Sequence, residues 1–140
     1  MQTTPPHTCS IRQLLDKIQA IIVPSAGETT RYEAEQIAMH VLGSSRSTLY
    51  LHANDSVDPL PAEKALTLAR QRAEGKPLGY VLGSVYFYNT TIHLSPDVLI
   101  PRPETEILVD TVLRREQAPG AVFLDMATGS GAITAAILHD

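Results

Sequence analysis

Two short segments of this chain carry residue types at spacings that can do chemistry. The first is Asp125-Met126-Ala127-Thr128-Gly129-Ser130-Gly131, preceded by the apolar run Ala121 to Leu124 and followed by Ala132-Ile133-Thr134. An acid at the end of an apolar strand, then small residues opening a helix, is the form of a loop that cradles a nucleotide-type cofactor. Gly129 and Gly131 lack a Cβ, so the backbone can turn sharply and a ligand can come close. The amides at the start of the next helix favour an anionic group, a carboxylate or a phosphate. Asp125 can accept hydrogen bonds from a ligand amine or from loop amides. On spacing alone, a plain strand-to-helix turn that needs glycine only for its geometry reads the same way.

The second segment is Leu99-Ile100-Pro101-Arg102-Pro103-Glu104-Thr105-Glu106. Pro101 and Pro103 push Ile100 and Arg102 out of helical geometry, so Arg102 is held extended between two fixed backbones. Pro103 suits the first helical position. Glu104 and Glu106 then fall in the first turn, where the helix dipole favours anions, and Thr105 offers a hydroxyl. A well-capped surface helix is the competing account. Ligand chemistry narrows the glycine loop further. A dinucleotide loop needs a small third residue at position 134, and Thr134 there would crowd helix against strand. A phosphate loop ends in Gly-Lys-Ser/Thr, and no Lys is present. S-adenosylmethionine remains as the common user of an acid-x-small-x-Gly-x-Gly loop. Its methionine carboxylate suits a helix N-terminus, and it has no pyrophosphate to cradle.

The elements that must position these segments follow from periodicity. Residues 1–8 read as a disordered start. Ser10 and Gln13 form a capping box for a helix whose apolar face is Ile11, Leu14, Leu15, Ile18, Ile21 and Ile22. Pro24 is expected to end it, with a loop to Thr29. Thr30 and Glu33 repeat the capping pattern before the stripe Ala34, Ile37, Ala38, Val41 and Leu42, closed by Gly43. Ser47 is the expected cap of a short third helix through Leu51, and Asn54 to Pro61 a loop. A fourth helix runs from Ala62 to Glu74, with Ala65, Leu66, Leu68 and Ala69 inward and Gly75 as its stop. Lys76 to Gly83 is a short turn or helix. Val85 to Tyr88 and Thr91 to Leu94 flank Asn89-Thr90 as a hairpin. Ser95 to Asp97 turns, and Val98 to Ile100 is expected as a strand. A helix follows from Pro103 to about Arg115, then a loop over Gln117 to Gly120, a buried strand Ala121 to Leu124, and a helix from Ala132. The fold class is α+β: a helical bundle over 1–75, a linker with a β-hairpin over 76–100, and over 101–140 the start of a Rossmann-like α/β domain.

Composition bounds the function. Eleven Lys and Arg against fifteen Asp and Glu give a net charge of -4, which disfavours direct nucleic-acid binding. A lone Cys9 makes neither an internal disulfide nor a CxxC metal site, and a reducing, cytoplasmic setting fits it. It reads as a solvent-facing or lightly packed thiol. The five histidines show no metal-ligand spacing, so no metal is expected. No run approaches the roughly eighteen apolar residues of a membrane span. Tyr80, Tyr86, Phe87 and Tyr88 form either an aromatic shelf for substrate or, more simply, hairpin packing. Lys64, Arg70, Arg72 and Lys76 form either a docking face for an acidic protein partner or RNA, or, more simply, a solvated helix face. Glu63 is assigned no chemistry.

The combination of motifs resembles the HemK-type protein N(5)-glutamine methyltransferases, the release factor glutamine methyltransferase family. The similar stretches are Glu33-Ala34-Glu35, Gly75-Lys76-Pro77-Leu78-Gly79-Tyr80-Val81-Leu82-Gly83, Phe87-Tyr88, Val98 to Glu106, and Asp125 to Ile133. The resemblance implies a helical domain that helps hold the release factor and a seven-stranded domain that binds S-adenosylmethionine. It implies methyl transfer to the side-chain amide of the glutamine in the Gly-Gly-Gln loop of class I peptide release factors. By motif match, Ala127, Thr128, Gly129, Ser130 and Gly131 line the methionine end of the cofactor. Asp125 fixes that loop, and Arg102, Pro103, Glu104, Thr105 and Glu106 border the same pocket. Ala127 stands where the family usually has Gly; the added methyl disfavours φ > 0.

An amide nitrogen is a poor nucleophile, because its lone pair is delocalised into the carbonyl. The site must hold it in line with the sulfonium methyl by accepting its protons. The family's Asn-Pro-Pro-Tyr motif supplies those acceptors, and it does not occur in this sequence. The expectation is therefore an N-terminal part of the enzyme, with no catalytic residue of its own, inactive alone and monomeric at full length. Two other functions share these features. One is a non-catalytic module that docks a release factor; the other is a different amino-methyltransferase, such as an adenine-modifying one. The Arg-Pro-Glu-Thr-Glu segment and the negative charge argue against the latter. Residues 117–140 are expected to fray, to pack on the hairpin, or to lie in a dimer contact.

Overall fold

A computed structural model describes residues 9–115 and 120–139. The expected disordered start and most of the 117–120 loop lie outside these residues. The chain forms two compact units, one up to Leu82 and one from Gly83 onward. It is mixed helix and small sheet, so α+β holds at that level.

The first unit begins with β1 (Cys9–Ser10) and α1 (Ile11–Ala26). Ser10 Oγ accepts the Gln13 amide at 3.3 Å, and Gln13 Oε1 accepts the Ser10 amide at 3.0 Å, the capping box read from the sequence. Two more first-turn amides reach loop carbonyls: Ile11 to Asp55 at 3.1 Å and Arg12 to Ala53 at 2.9 Å. Those bonds accompany β2 (Ser56–Val57), which pairs antiparallel with β1 inside what was expected to be a plain loop. The helix does not stop at Pro24. Pro24 lies in its last turn, where the ring's fixed φ is already helical and only one backbone bond is lost. A 3-10 turn (Gly27–Thr29) leads into α2 (Thr30–Leu42).

The second capping box does not form. Thr30 is already helical, its hydroxyl donates to the Gly27 carbonyl, and Glu33 is drawn to Arg72. Left-handed Gly43 closes α2, as expected. The next helix, α3 (Arg46–Leu51), is capped by Ser45 rather than Ser47. Ser45 Oγ accepts the Thr48 amide at 3.1 Å, because the chain leaves Gly43 and needs only two residues to re-enter a helix. α4 (Pro59–Ala73) starts earlier than expected. Pro59 and Pro61 fall in its first turn, where an absent N–H loses no bond. α5 (Leu78–Leu82) ends the unit. The core is one cluster of Leu14, Leu15, Ile18 and Ile22 on α1, Ala34, Ile37 and Ala38 on α2, Leu49 on α3, and Ala65 and Ala69 on α4. Alanines on α2 and α4 let their backbones approach the large side chains of α1 closely.

The second unit opens with a hairpin, β3 (Ser84–Phe87) and β4 (Thr90–His93), in the register Val85↔Ile92 and Phe87↔Thr90. Its two-residue turn is Tyr88-Asn89, one position earlier than expected. Phe87 and Ile92 are buried, while Tyr86 on the other face is 69% exposed, so hairpin packing rather than a continuous aromatic shelf accounts for this run. A 3-10 turn (Pro103–Thr105) precedes α6 (Glu106–Arg115), and α7 (Ala132–His139) follows the glycine loop. Phe87, Ile92, Val109, Ala132 and Ala136 form the second core.

Two expected strands are absent. Val98–Ile100 and Ala121–Leu124 are not strands, since neither has a partner among the described residues. The second is also not buried: Val122 is 95% and Leu124 85% exposed.

Candidate functional site

The Asp125–Gly131 loop hangs between an unpaired run and α7. Three of its residues have positive φ: Ala127 at 61°, Gly129 at 57° and Gly131 at 75°. Ala127 therefore adopts the conformation that its methyl disfavours. A Cβ built on Gly129 or Gly131 meets nothing within 4 Å, so backbone conformation demands these glycines and the space beside them is open. The Gly131 amide donates to the Thr128 carbonyl at 2.9 Å, and the Ala135 amide to Gly131 at 2.8 Å, which starts α7. Asp125 Oδ2 accepts two hydroxyls, Thr128 Oγ1 and Thr134 Oγ1, each at 2.9 Å. Thr134 does not crowd the helix, as its type suggested. It is exposed and turned onto the acid.

The Pro-Arg-Pro segment has the geometry its prolines dictate. Arg102 is extended at φ -91°, ψ 143°, and its carbonyl accepts the Thr105 amide at 3.0 Å. Arg102, Pro103 and Glu104 are exposed and Thr105 half-buried. Glu106 has a structural task the sequence did not disclose. Its Oε1 accepts the Tyr88 amide at 2.8 Å, tying the hairpin turn to the start of α6. Tyr88 has φ 55°, a turn position that favours glycine, so this bond helps hold a strained backbone. Among the described residues, no hydrogen bond or ion pair joins the side chains of Arg102, Glu104 or Thr105 to the glycine loop. Asp125 also borders an apolar groove of 490 Å³ lined by Leu108, Val112, Val122, Leu124, Ile133 and Leu138.

In the first unit the informative polar groups are two carboxylates flanking Ala34. Glu33 takes a forked bond from Arg72, 2.6 Å from Nε and 3.1 Å from Nη2. Arg72 is thus an internal clamp between α2 and α4, not part of a free basic face. Glu35 is 1% exposed. It accepts Arg46 Nε at 2.7 Å, Arg31 Nε at 3.4 Å and the Tyr50 hydroxyl. Burial pushes its carboxyl pKa up, but the Tyr50 hydroxyl and the two guanidiniums outweigh that and leave it lowered. The i,i+4 spacing of Arg31 and Glu35 was visible in the sequence; the other partners were not. Among the described residues, no three His, Cys, Asp or Glu side chains gather as a metal set. No helix there is long and apolar enough to cross a membrane.

A release factor glutamine methyltransferase of Bordetella pertussis is 45% identical over 108 residues, covering 76% of this chain and 40% of that protein. The proteins of the same name from Thermodesulfovibrio yellowstonii and Burkholderia pseudomallei are 40% and 35% identical. They cover 88% and 100% of this chain, and 44% and 46% of their own lengths. The chain thus spans less than half the length of these curated relatives. Residues 13–83, half of the chain, match the family described as PrmC N-terminal domain. That match takes in the helices α1 to α5 and the paired carboxylates of α2, and it places the chain in the PrmC N-terminal domain family.

Proposed function

We propose that this chain is the N-terminal part of a release factor glutamine methyltransferase that uses S-adenosylmethionine. On this reading residues 1–75 dock the substrate, 76–100 link, and 101–140 begin a Rossmann-like domain whose further strands cover the apolar groove beside Asp125. The substrate is the glutamine of the Gly-Gly-Gln loop in class I release factors. The working place is the cytoplasm, with no nucleic-acid or membrane partner and a monomer at full length. The carrying observation is the loop Asp125–Gly131: an oriented acid, three positive-φ residues and open space ahead of a helix start.

These residues fit the proposed cofactor's charges. The amides at the start of α7 suit its carboxylate, while the Gly131 amide is already bonded to the Thr128 carbonyl. Asp125 suits its ammonium, and Arg102, Pro103, Glu104 and Thr105 border the pocket with Ala127, Thr128 and Ser130. When bound, the cofactor supplies an electrophilic methyl on a sulfonium. The chain's own residues bind and orient; acceptors for the glutamine amide protons belong to a segment this sequence does not hold.

The test is calorimetry with S-adenosylmethionine on this chain and on one extended to the relatives' length. Binding by both supports the reading, with the loop preformed. Binding by the extended chain alone leaves this chain a docking module. Binding by neither overturns the cofactor assignment. The docking module is the second reading, favoured by the family match over 13–83. Its mark is affinity for a class I release factor without affinity for the cofactor.

A further inference from the structure

We infer that Thr134 is a positioning residue for the cofactor loop, holding the carboxylate of Asp125 from the first turn of α7. This rests on the S-adenosylmethionine reading of that loop. Two hydroxyls converge on one oxygen of Asp125, Thr128 from within the loop and Thr134 from the helix, both at 2.9 Å. A helical Thr commonly turns its hydroxyl to the carbonyl four residues back. Here it reaches an acid nine residues earlier instead. With Oδ2 doubly occupied, the carboxylate is fixed in rotation, and Oδ1 has no partner among the described residues. That oxygen is the acceptor left for a ligand ammonium. The negative charge also sits beside the first turn of α7, where the helix dipole favours it.

The arrangement bears directly on the strained residue between the two. Ala127 at φ 61° is a strained position of the kind that surrounding bonds must hold. The Gly131 amide ties one end to Thr128 within the loop. Thr134 ties the acid that opens the loop to the helix that closes it. Because Thr134 is exposed, its hydroxyl can be removed without opening the core at Ala132 and Ala136.

The experiment compares the wild-type chain with Thr134→Val and Thr134→Ser, by hydrogen exchange of the loop amides and by calorimetry with S-adenosylmethionine. Loss of one exposed charge-assisted bond predicts faster exchange at the Gly131 amide by about three- to tenfold in Thr134→Val. A similar loss of cofactor affinity is expected, with both restored in Thr134→Ser. Wild-type exchange in Thr134→Val overturns the inference. So does a loosened loop with unchanged affinity. If Thr134→Val loosens the loop and no variant binds cofactor even when extended to the relatives' length, the hold on Asp125 stands and the cofactor reading falls.

Discussion

Ala127 carries the clearest mismatch between residue type and backbone. A left-handed alanine costs about 1–2 kcal/mol that glycine does not. Part of the gain from glycine is returned as unfolded-chain entropy. Ala127→Gly should therefore slow loop-amide exchange and raise stability by about 0.5–1 kcal/mol, read as the urea midpoint. Glu35 is the opposite case, a buried group fully committed to partners. Glu35→Gln removes the charge from three donors and should cost about 1–3 kcal/mol at neutral pH. Its pKa is lowered in the folded chain. The stability it supplies is therefore present above the ordinary carboxylate range and drains as pH falls through the lowered value. Urea midpoints from neutral pH to about pH 3 should fall more steeply in wild type than in Glu35→Gln. The glycine loop was legible because its chemistry is local in sequence. The clamp on Glu35 was not, because Arg46 and Tyr50 lie eleven and fifteen residues away.

Helices were legible where an apolar stripe and a cap agreed, as in α1 and at Gly43. Errors came where a proline or a hydroxyl was read without its neighbours. Pro24 sits too near the end of α1 to break it, and Pro59 and Pro61 open α4 because first-turn amides have no partner to lose. The one-residue error at the hairpin has a tertiary cause. Glu106 reaches the Tyr88 amide, and that distant bond supports a non-glycine residue at a glycine-favouring turn. Phe87, 1% exposed, is the hairpin's most deeply buried side chain, with Ile92 beside it in the second core. Phe87→Ala should cost about 3–5 kcal/mol, seen as a lowered urea midpoint with β3 and β4 amides losing exchange protection. Glu106→Gln, which keeps an acceptor, should leave the hairpin amides protected, while Glu106→Ala should expose Tyr88.

Across the whole molecule, the α+β class and the helical first unit were readable because apolar stripes and caps are local signals, even though α1 packs most extensively on the sequence-distant α4. The sheet expectation for Ala121–Leu124 failed because apolar periodicity reports a wish for burial, while a strand requires a partner backbone. The result is a run with Val122 and Leu124 almost fully exposed beside a 490 Å³ apolar groove. A surface of that kind recruits apolar ligands. The dye 8-anilinonaphthalene-1-sulfonate should fluoresce with this chain near neutral pH, and Leu124→Glu should cut the signal at least by half. An unchanged signal would locate the apolar surface elsewhere.

The short ribbon at the front of the chain has an unforeseen use. Cys9, the chain's single thiol, was expected to be solvent-facing or lightly packed; it is 7% exposed, belongs to the first unit's core and sits opposite Val57 in β1–β2. Reaction with a thiol reagent must wait for that two-residue ribbon to part. Labelling therefore works as an internal clock for the first unit. Its rate should level off at high reagent concentration, at the frequency with which Cys9 and Val57 separate.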